Sequence, residues 1–425
     1  MGRRLLFITY SFPPAGGVAV QRVLKFARYL PENGWTPIVV TARIARTSLR
    51  DDSLLAEVPP SLSIFRTWTL MLPGWLPWRL RNWTARWLSL GDEQLGWLPF
   101  AVWAGRRALA SERIDAIFST SGPFTAHLIA LLLHRESGLP WVADFRDLWI
   151  GDLCPFPTPL HARLARSLEH RVVHEADRIT VVSEPMREAL LSRYPTLSAR
   201  RVVYLPNGYD PADFAGVVLE RKDPARLTIV YTGSFYGQRT AKPFLNALRR
   251  VLADGRIPRE AIRVQLVGNI GRATKREIET LGLGDVVECT GYVPHRQSIA
   301  YLLSADALLL VIGSGPGTQA VLTGKVFEYL AAGKPILVLA QQAAAADLVC
   351  EARAGAIADP EDEEVLATQI QALYGRWRRG DLACSPDPTV LARYDRRRLT
   401  RELAGLLDEM VSERRWPESG SQVDP

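Results

Sequence analysis

Cysteine is scarce in this 425-residue chain: Cys154, Cys289, Cys350 and Cys384 form no C-x-x-C pair and accompany no histidine cluster. Neither a disulfide framework nor a zinc site is expected, and a reducing, cytoplasmic setting follows. No run of 18 uncharged apolar residues occurs, which excludes a spanning helix of ordinary composition. Met1-Gly2-Arg3-Arg4 leads only into the short run Leu5-Leu6-Phe7-Ile8, so neither a signal peptide nor an acylation signal is expected. Internal repeats, low-complexity tracts and a G-x-G-x-x-G fingerprint are missing as well. No D-x-D stands at a strand end, so no metal is called for.

What is present is the composition of an ordinary globular protein, 47% apolar and 23% charged, long enough for two cores. Short apolar runs alternate with helical periodicity. They are Leu5–Ile8, Asp115–Ser121, Trp141–Phe145 and Arg178–Ser183 in the first half. Leu227–Gly233, Arg263–Gly268, Val286–Gly291, Ala307–Ile312 and Pro335–Ala340 follow in the second. The expected class is α/β, with two doubly wound, Rossmann-like domains. A Pro/Asn/Gly/Asp cluster from Tyr204 to Phe214 has neither periodicity and places the boundary, giving domains at 1–205 and 206–390. A final amphipathic helix is expected within 391–411, then a polar tail over 412–425.

Two loops draw attention because each follows a strand and opens a helix. In TYSFPPAGGVAVQRVLKFARYL, Thr9 to Leu30, the residues Val20, Val23, Leu24, Ala27 and Leu30 recur at helical spacing after Gly16-Gly17. Either the prolines and glycines make a stiff turn, or the glycines bring backbone amides close to a ligand at a helix N-terminus. In SGPGTQAVLTGKVFEYLAAGKPILVLA, Ser314 to Ala340, a glycine-rich loop meets a helix that begins near Thr323-Gly324 and is stopped by Gly333 and Pro335. There Lys325 adds positive charge for an anion, and Glu328 offers a carboxylate to a ribose diol. The plainer alternative makes Glu328 a dipole-complementing helix residue and Lys325 a solvated one.

The net charge of +7 is carried mostly by arginine, and seven of the twelve tryptophans fall between Trp68 and Trp103: Trp68, Trp75, Trp78, Trp83, Trp87, Trp97 and Trp103. Arg66, Arg79, Arg81, Arg86, Arg106 and Arg107 flank them, and Pro73, Gly74 and Pro77 prevent one continuous helix. Interleaved indoles and cations suit a membrane surface. An inserted helical pair over about 66–107, packed on the first domain, accounts for the same residues. No nucleic-acid-binding module accompanies them, so nucleic acid is not an expected partner.

The segment FEYLAAGKPILVL resembles the donor-nucleotide segment of retaining glycosyltransferases of family 4. SFPPAGG, ITVVSEPMREAL, VVYLPNGYDPADF, VYTGSFYGQRTAKPF, VQLVGN and CTGYVPHRQSIAYLLSADALLL match the family in order, from Leu5 to about Met410. The resemblance implies the GT-B arrangement, two Rossmann-like domains facing across a cleft with the C-terminal helix returning to the first. It implies donor contacts from Gly16, Gly17, Ser234, Arg239, Lys242, Gly324, Lys325 and Glu328, with Tyr292 and Val293 in the nucleobase loop. Trp97 and Trp149 would lie on the acceptor side. Asp144, Arg146 and Asp147 of DFRDLW occupy the place of sugar-contacting residues, and together with Lys242 they are the candidate catalytic set. The family's E-x7-E pattern is broken, since Ala320 stands where its first acid belongs. Gly-Arg followed by Lys is replaced by Gly233-Ser234 with Arg239 and Lys242 further on, and the usual His-Asp pair is missing.

The implied reaction moves a sugar from a nucleotide donor (UDP-, GDP- or dTDP-linked) to a glycan or lipid-linked acceptor with retention, in cell-surface polysaccharide or glycoconjugate synthesis. No further cofactor is required, and the location is cytoplasmic with reversible contact at the inner face of the cell membrane. Two other readings stay open. One is a GT-B sugar-nucleotide epimerase or hydrolase, for which His127, His134 and His295 are the candidate acid/base groups. The other is a partner protein that keeps the fold without the chemistry.

Overall fold

The computed structural model describes residues 2–44, 49–70, 94–151, 156, 158–235, 239–315 and 317–415. Two compact units divide the chain, one ending at Pro206 and rejoined by the chain from Arg397 onward, the other running from Asn207 to Arg396.

Among the described residues, the first unit holds a parallel sheet of seven strands. They are β1 (Arg3–Ile8), β2 (Trp35–Ala42), β3 (Ser63–Thr67), β4 (Ala116–Thr120), β5 (Trp141–Phe145), β6 (Arg178–Val181) and β7 (Val202–Tyr204). Their order is β3-β2-β1-β4-β5-β6-β7, so the winding reverses between β1 and β4. In open α/β sheets the loops at the carboxyl ends of such a reversal diverge and leave room for a ligand. Here those loops are Thr9–Gly17 and Ser121–Phe124. The C-terminal helix Arg396–Arg415 lays Leu399, Leu403, Leu407 and Met410 into a core with Leu5, Phe7, Val39 and Phe118. Trp35 donates its Nε1–H to Asp408 at 2.9 Å, fixing the helix against β2. The helix continues through Arg415, past the expected start of the tail.

In the second unit, β8 (Leu227–Thr232), β9 (Ile262–Val267), β10 (Val287–Gly291), β11 (Ala307–Gly313), β12 (Ile336–Ala340) and β13 (Gly355–Ala358) form a parallel sheet ordered β10-β9-β8-β11-β12-β13. The period-two geometry of a strand is plain in β11: Ala307, Leu309 and Val311 enter one core cluster, while Leu308, Leu310 and Ile312 enter the other. Both faces are covered, as a parallel sheet requires. The reversal here lies between β8 and β11, which brings the loops that begin at Gly233 and Ser314 to one edge. This unit runs on to Arg396 rather than ending at 390. Tyr209 N donates to Tyr394 O and Arg396 N donates to Tyr209 O, each at 3.0 Å, tying the end of this unit to its beginning.

Candidate functional site

The sharpest local geometry is at the end of β8. Gly233 has φ 116° and donates its N–H to Val267 O at 2.7 Å, so the chain turns hard over the sheet edge. A Cβ on Gly233 would lie 2.4 Å from Lys325 Nζ, and one on Gly268 would lie 2.1 Å from Gly233 O. Only glycine fits both the backbone and the space. Lys325 arrives from the helix Gly324–Ala332, whose N-cap is Thr323 and whose end is Gly333 in the left-handed region, as the sequence predicts.

Lys325 is buried, contrary to the solvated alternative, with 8% of its surface exposed. Its Nζ donates to Tyr231 Oη at 2.9 Å and lies 4.3 Å from the centre of that ring. Tyr231 Oη in turn donates to Ser234 O at 3.0 Å, and Phe235 stacks on the ring with centroids 4.4 Å apart. Burial, reinforced by Arg239 and opposed by Glu328, pushes the Lys325 ammonium down to about 7. Next in the helix, Glu328 Oε1 accepts from His295 Nε2 at 2.9 Å. Tyr329 Oη accepts from Thr232 N at 2.8 Å and closes the helix onto β8. Lys242 lies farther along the surface as the exposed first residue of the helix Lys242–Ala253, while Arg239 and Ser234 are half-buried. Tyr292 is exposed and Val293 packs on the core beneath it.

In the first unit the carboxyl ends of β4 and β5 carry the other expected residues. Asp144 is fully buried and spent on the protein itself. Arg22 grips both its oxygens, Nη2 to Oδ1 at 2.7 Å and Nε to Oδ2 at 3.1 Å. Thr120 and Thr180 each donate a hydroxyl to it at 2.7 Å. Although burial opposes its charge, Arg22 and the two hydroxyls hold the carboxyl below its ordinary value. Arg22 also reaches Leu205 O and Pro206 O, at 2.9 and 2.6 Å. Asp144 is therefore a positioning group, a correction to its place among the sugar-contacting candidates.

Arg146 donates to Ser121 O at 2.8 Å and to Ala19 O at 2.7 Å, joining the edge of β4 to the helix Val18–Tyr29. Asp147 is exposed beside it. Trp149 is buried and stacks flat on Phe124 with centroids 4.9 Å apart. Ile150 closes the loop, giving its N–H to Glu169 at 3.4 Å and taking one from Arg193 at 2.6 Å. The two glycines of the first loop separate in role. Gly16 already donates its N–H to Leu49 O at 2.9 Å, which corrects its place as an anion ligand, while Gly17 is the N-cap residue with nothing within 4 Å of a Cβ position.

Trp97 also differs from expectation. It is fully buried and donates Nε1–H to Thr67 Oγ1 at 2.7 Å, so it belongs to the core and offers no acceptor surface. Trp75, Trp78, Trp83 and Trp87, with Arg79, Arg81 and Arg86, lie outside the described residues. Trp68 and Trp103 are 63% and 62% exposed, with Arg43 over the first ring at 4.2 Å and Arg107 over the second at 5.8 Å. Of the three histidines weighed as acid/base groups, His127 is fully enclosed against Ser119 and burial pushes it down to about 3. His134 pairs with Leu139 O at 2.7 Å. His295 alone of the three stands at the β8–β11 edge, a placement that no periodicity or spacing along the chain signals.

Among the described residues no helix is long and apolar enough to cross a membrane, and no group of three or more His, Cys, Asp or Glu could hold a metal. A cavity of about 270 Å³ lined by Arg353, Arg376 and Cys384 lies at the amino ends of β12 and β13, the end opposite Lys325.

The family model for a glycosyl transferase 4-like domain matches residues 16–208, and that for glycosyl transferases group 1 matches residues 226–376. No curated protein sequence matches the chain. Among solved structures, Anabaena HepE in complex with UDP-glucose is similar at a TM-score of 0.66 and 15% identity, over 96% of this chain and 99% of that one. WaaG, a glycosyltransferase involved in lipopolysaccharide biosynthesis, is similar at 0.58 and 14%, over 98% and 100%. A putative UDP-N-acetylglucosamine 2-epimerase from Listeria monocytogenes is similar at 0.60 and 13%, over 97% and 98%. Likeness at such identities speaks for the fold, while the two domain matches speak for the chemistry. The chain is a GT-B protein carrying, in order, the two glycosyltransferase domains that those family models describe.

Proposed function

We propose that this protein transfers a glycosyl group from a nucleoside diphosphate sugar to a hydroxyl of a glycan or lipid-linked acceptor, with retention of anomeric configuration. The observation that carries this reading is Lys325: a buried ammonium at the β8–β11 edge whose hydrogen bond among the described residues goes to a neutral phenol. A buried cation so poorly matched is costly unless an anion arrives, and a diphosphate brings one. Arg239 and Lys242 supply further positive charge toward it, Ser234 and Gly324 line the approach, and Glu328 takes the ribose hydroxyls. Tyr292 and Val293 flank the base.

Cleavage of the sugar–diphosphate bond builds positive charge at the anomeric carbon and negative charge on the departing oxygen. Fixed cations beside the diphosphate stabilise that separation. The acceptor oxygen bonds to the anomeric carbon as the carbon–phosphate oxygen bond breaks, and the acceptor proton passes to the departing phosphate on the same face. In the first unit, Arg146, Asp147 and the Gly17 end of the helix Val18–Tyr29 form the acceptor side, with the Phe124–Trp149 stack beneath. Arg43 and Arg107, lying over exposed Trp68 and Trp103, favour an acceptor met at an anionic membrane surface. Because the similar HepE is seen in complex with UDP-glucose, UDP is the first donor nucleotide to test.

Purified protein is screened for thermal stabilisation by UDP, GDP and dTDP. The matching sugar nucleotides are then assayed for nucleotide release with and without acceptor. Acceptor-dependent release, with product anomers read by NMR, supports transfer with retention. Acceptor-independent release favours a hydrolase or epimerase, and stabilisation without turnover favours a non-catalytic partner.

A further inference from the structure

We propose that His295 is a positioning residue for nucleoside binding, coupling the nucleobase loop to the ribose carboxylate through its hydrogen bond to Glu328; this rests on the donor reading above. His295 is the first residue of the helix His295–Ser304, directly after the loop that carries Tyr292 and Val293. Pro294, at φ −55° and ψ 152°, is the N-cap and sets the direction in which that helix starts. The loop is held at its other end, where Gly268 N donates to Gly291 O at 2.8 Å.

The residues after His295 have partners elsewhere. Arg296 donates to Gly216 O at 2.9 Å and Gln297 donates to Glu220 at 3.3 Å, so the first turn is tied to the segment 216–220. His295 reaches 33 residues along the chain to Glu328. With 14% and 17% of their side chains exposed, the two groups meet where water competes weakly for the bond. A glutamate in the second turn of a helix has three rotatable torsions, and freezing them on ligand binding costs entropy that a prior hydrogen bond has already met. Nε2–H holds Oε1, and the carboxylate plane is set before a diol arrives. Movement of the base loop and of the carboxylate are thereby linked through one imidazole.

The test measures dissociation constants of the intact chain and its H295A and H295Q variants for three probes. These are the tightest-binding of UDP, GDP and dTDP, the 2′,3′-dideoxy form of that nucleotide, and inorganic pyrophosphate. H295A is expected to weaken the hydroxyl-bearing nucleotide roughly tenfold, the scale of losing one hydrogen bond to a charged group. Binding of the dideoxy form and of pyrophosphate should stay within about twofold, and H295Q, which retains a side-chain N–H donor, should recover most of the loss. Thermal unfolding of each variant confirms that it is folded; should H295A not fold, H295Q against a similarly sized H295M decides the same question. Equal weakening of all three probes would mean a merely structural histidine and overturn the proposal. So would unchanged binding of the hydroxyl-bearing nucleotide. If the unaltered chain binds none of the three nucleotides, it is the donor reading that fails, and the coupling with it.

Discussion

Two buried charges, one in each unit, sit at the carboxyl edges of their sheets and are treated in opposite ways. Asp144 stands one residue before the end of β5 and receives four hydrogen bonds from Arg22, Thr120 and Thr180, with no part of it exposed. Lys325 faces the end of β8 and donates to the oxygen of Tyr231. A charge satisfied by its own protein contributes to architecture. A charge left short of counter-charge costs stability and repays it only when a ligand supplies the missing sign. The contrast separates scaffold from site more sharply than burial does, since both residues are buried.

The largest effect should come from breaking the satisfied pair. Replacing Asp144 by Ala leaves Arg22 buried without its carboxylate, which costs about 3–5 kcal/mol. Urea denaturation should show a loss of stability of that size, and a change under about 1 kcal/mol would mean the pair behaves like ordinary surface charge. Lys325→Met should do the reverse. It retains the buried volume and removes the ammonium, so the free protein should be as stable or more stable, while nucleoside diphosphate binding weakens by about 1.5–3 kcal/mol. Undiminished affinity by calorimetry would remove Lys325 from the site.

The pH dependence sharpens the same contrast. With Lys325 lowered to about 7 from 10.5, the unfolded chain holds more protons between those values. Its contribution to stability therefore rises with pH from about 7 to about 10.5 in the free protein. A bound diphosphate favours the ammonium, so binding takes up a proton and affinity falls as pH rises above about 7, by up to about tenfold per unit. Calorimetry in buffers of different ionisation enthalpy reads this uptake directly. Buffer-independent heats at about one unit above that value, with tight binding, would contradict it. The Lys325→Met protein should lose the dependence.

Smaller effects belong to exposed groups. Lys242→Ala should weaken nucleotide binding less than Lys325→Met, because a solvated cation is screened. A larger loss from Lys242 would move the phosphate site outward along the helix Lys242–Ala253. At the surface of the first unit, Arg43→Gln or Arg107→Gln should each weaken sedimentation with anionic vesicles by about 1 kcal/mol, or roughly fivefold, at low salt. Absence of binding to such vesicles at low salt would leave a soluble acceptor as the better assignment.

Much of the fold was legible in the sequence. Runs such as Trp141–Phe145 and Leu227–Thr232 are short, mostly apolar and bounded by proline, glycine or arginine, so local composition was enough to place them. β2 is absent from the strands read along the chain and contains Pro37, which is tolerated because pairing with β3 begins only at Ile38. β3, β7 and β13 are short edge strands of five, three and four residues, and too little of each is buried to stand out from loop. The helix end at Gly333, in the left-handed region, follows from the conformational freedom of glycine, which is local.

The sequence by itself determined the two α/β units, their strand–loop–helix junctions, and the residue types that could meet a diphosphate and a ribose. Only the tertiary structure decided what each charge does there. Asp144 became scaffold because Arg22, 122 residues away, reaches it. Trp97 became core because Thr67 takes its N–H. Lys325 became a buried cation short of counter-charge because the end of β8 brings it a phenol where a carboxylate would have balanced it. Periodicity and capping act over a few residues and can be read along the chain. The partner of a charge is set by which strands lie side by side, and that is fixed only when the sheet has closed.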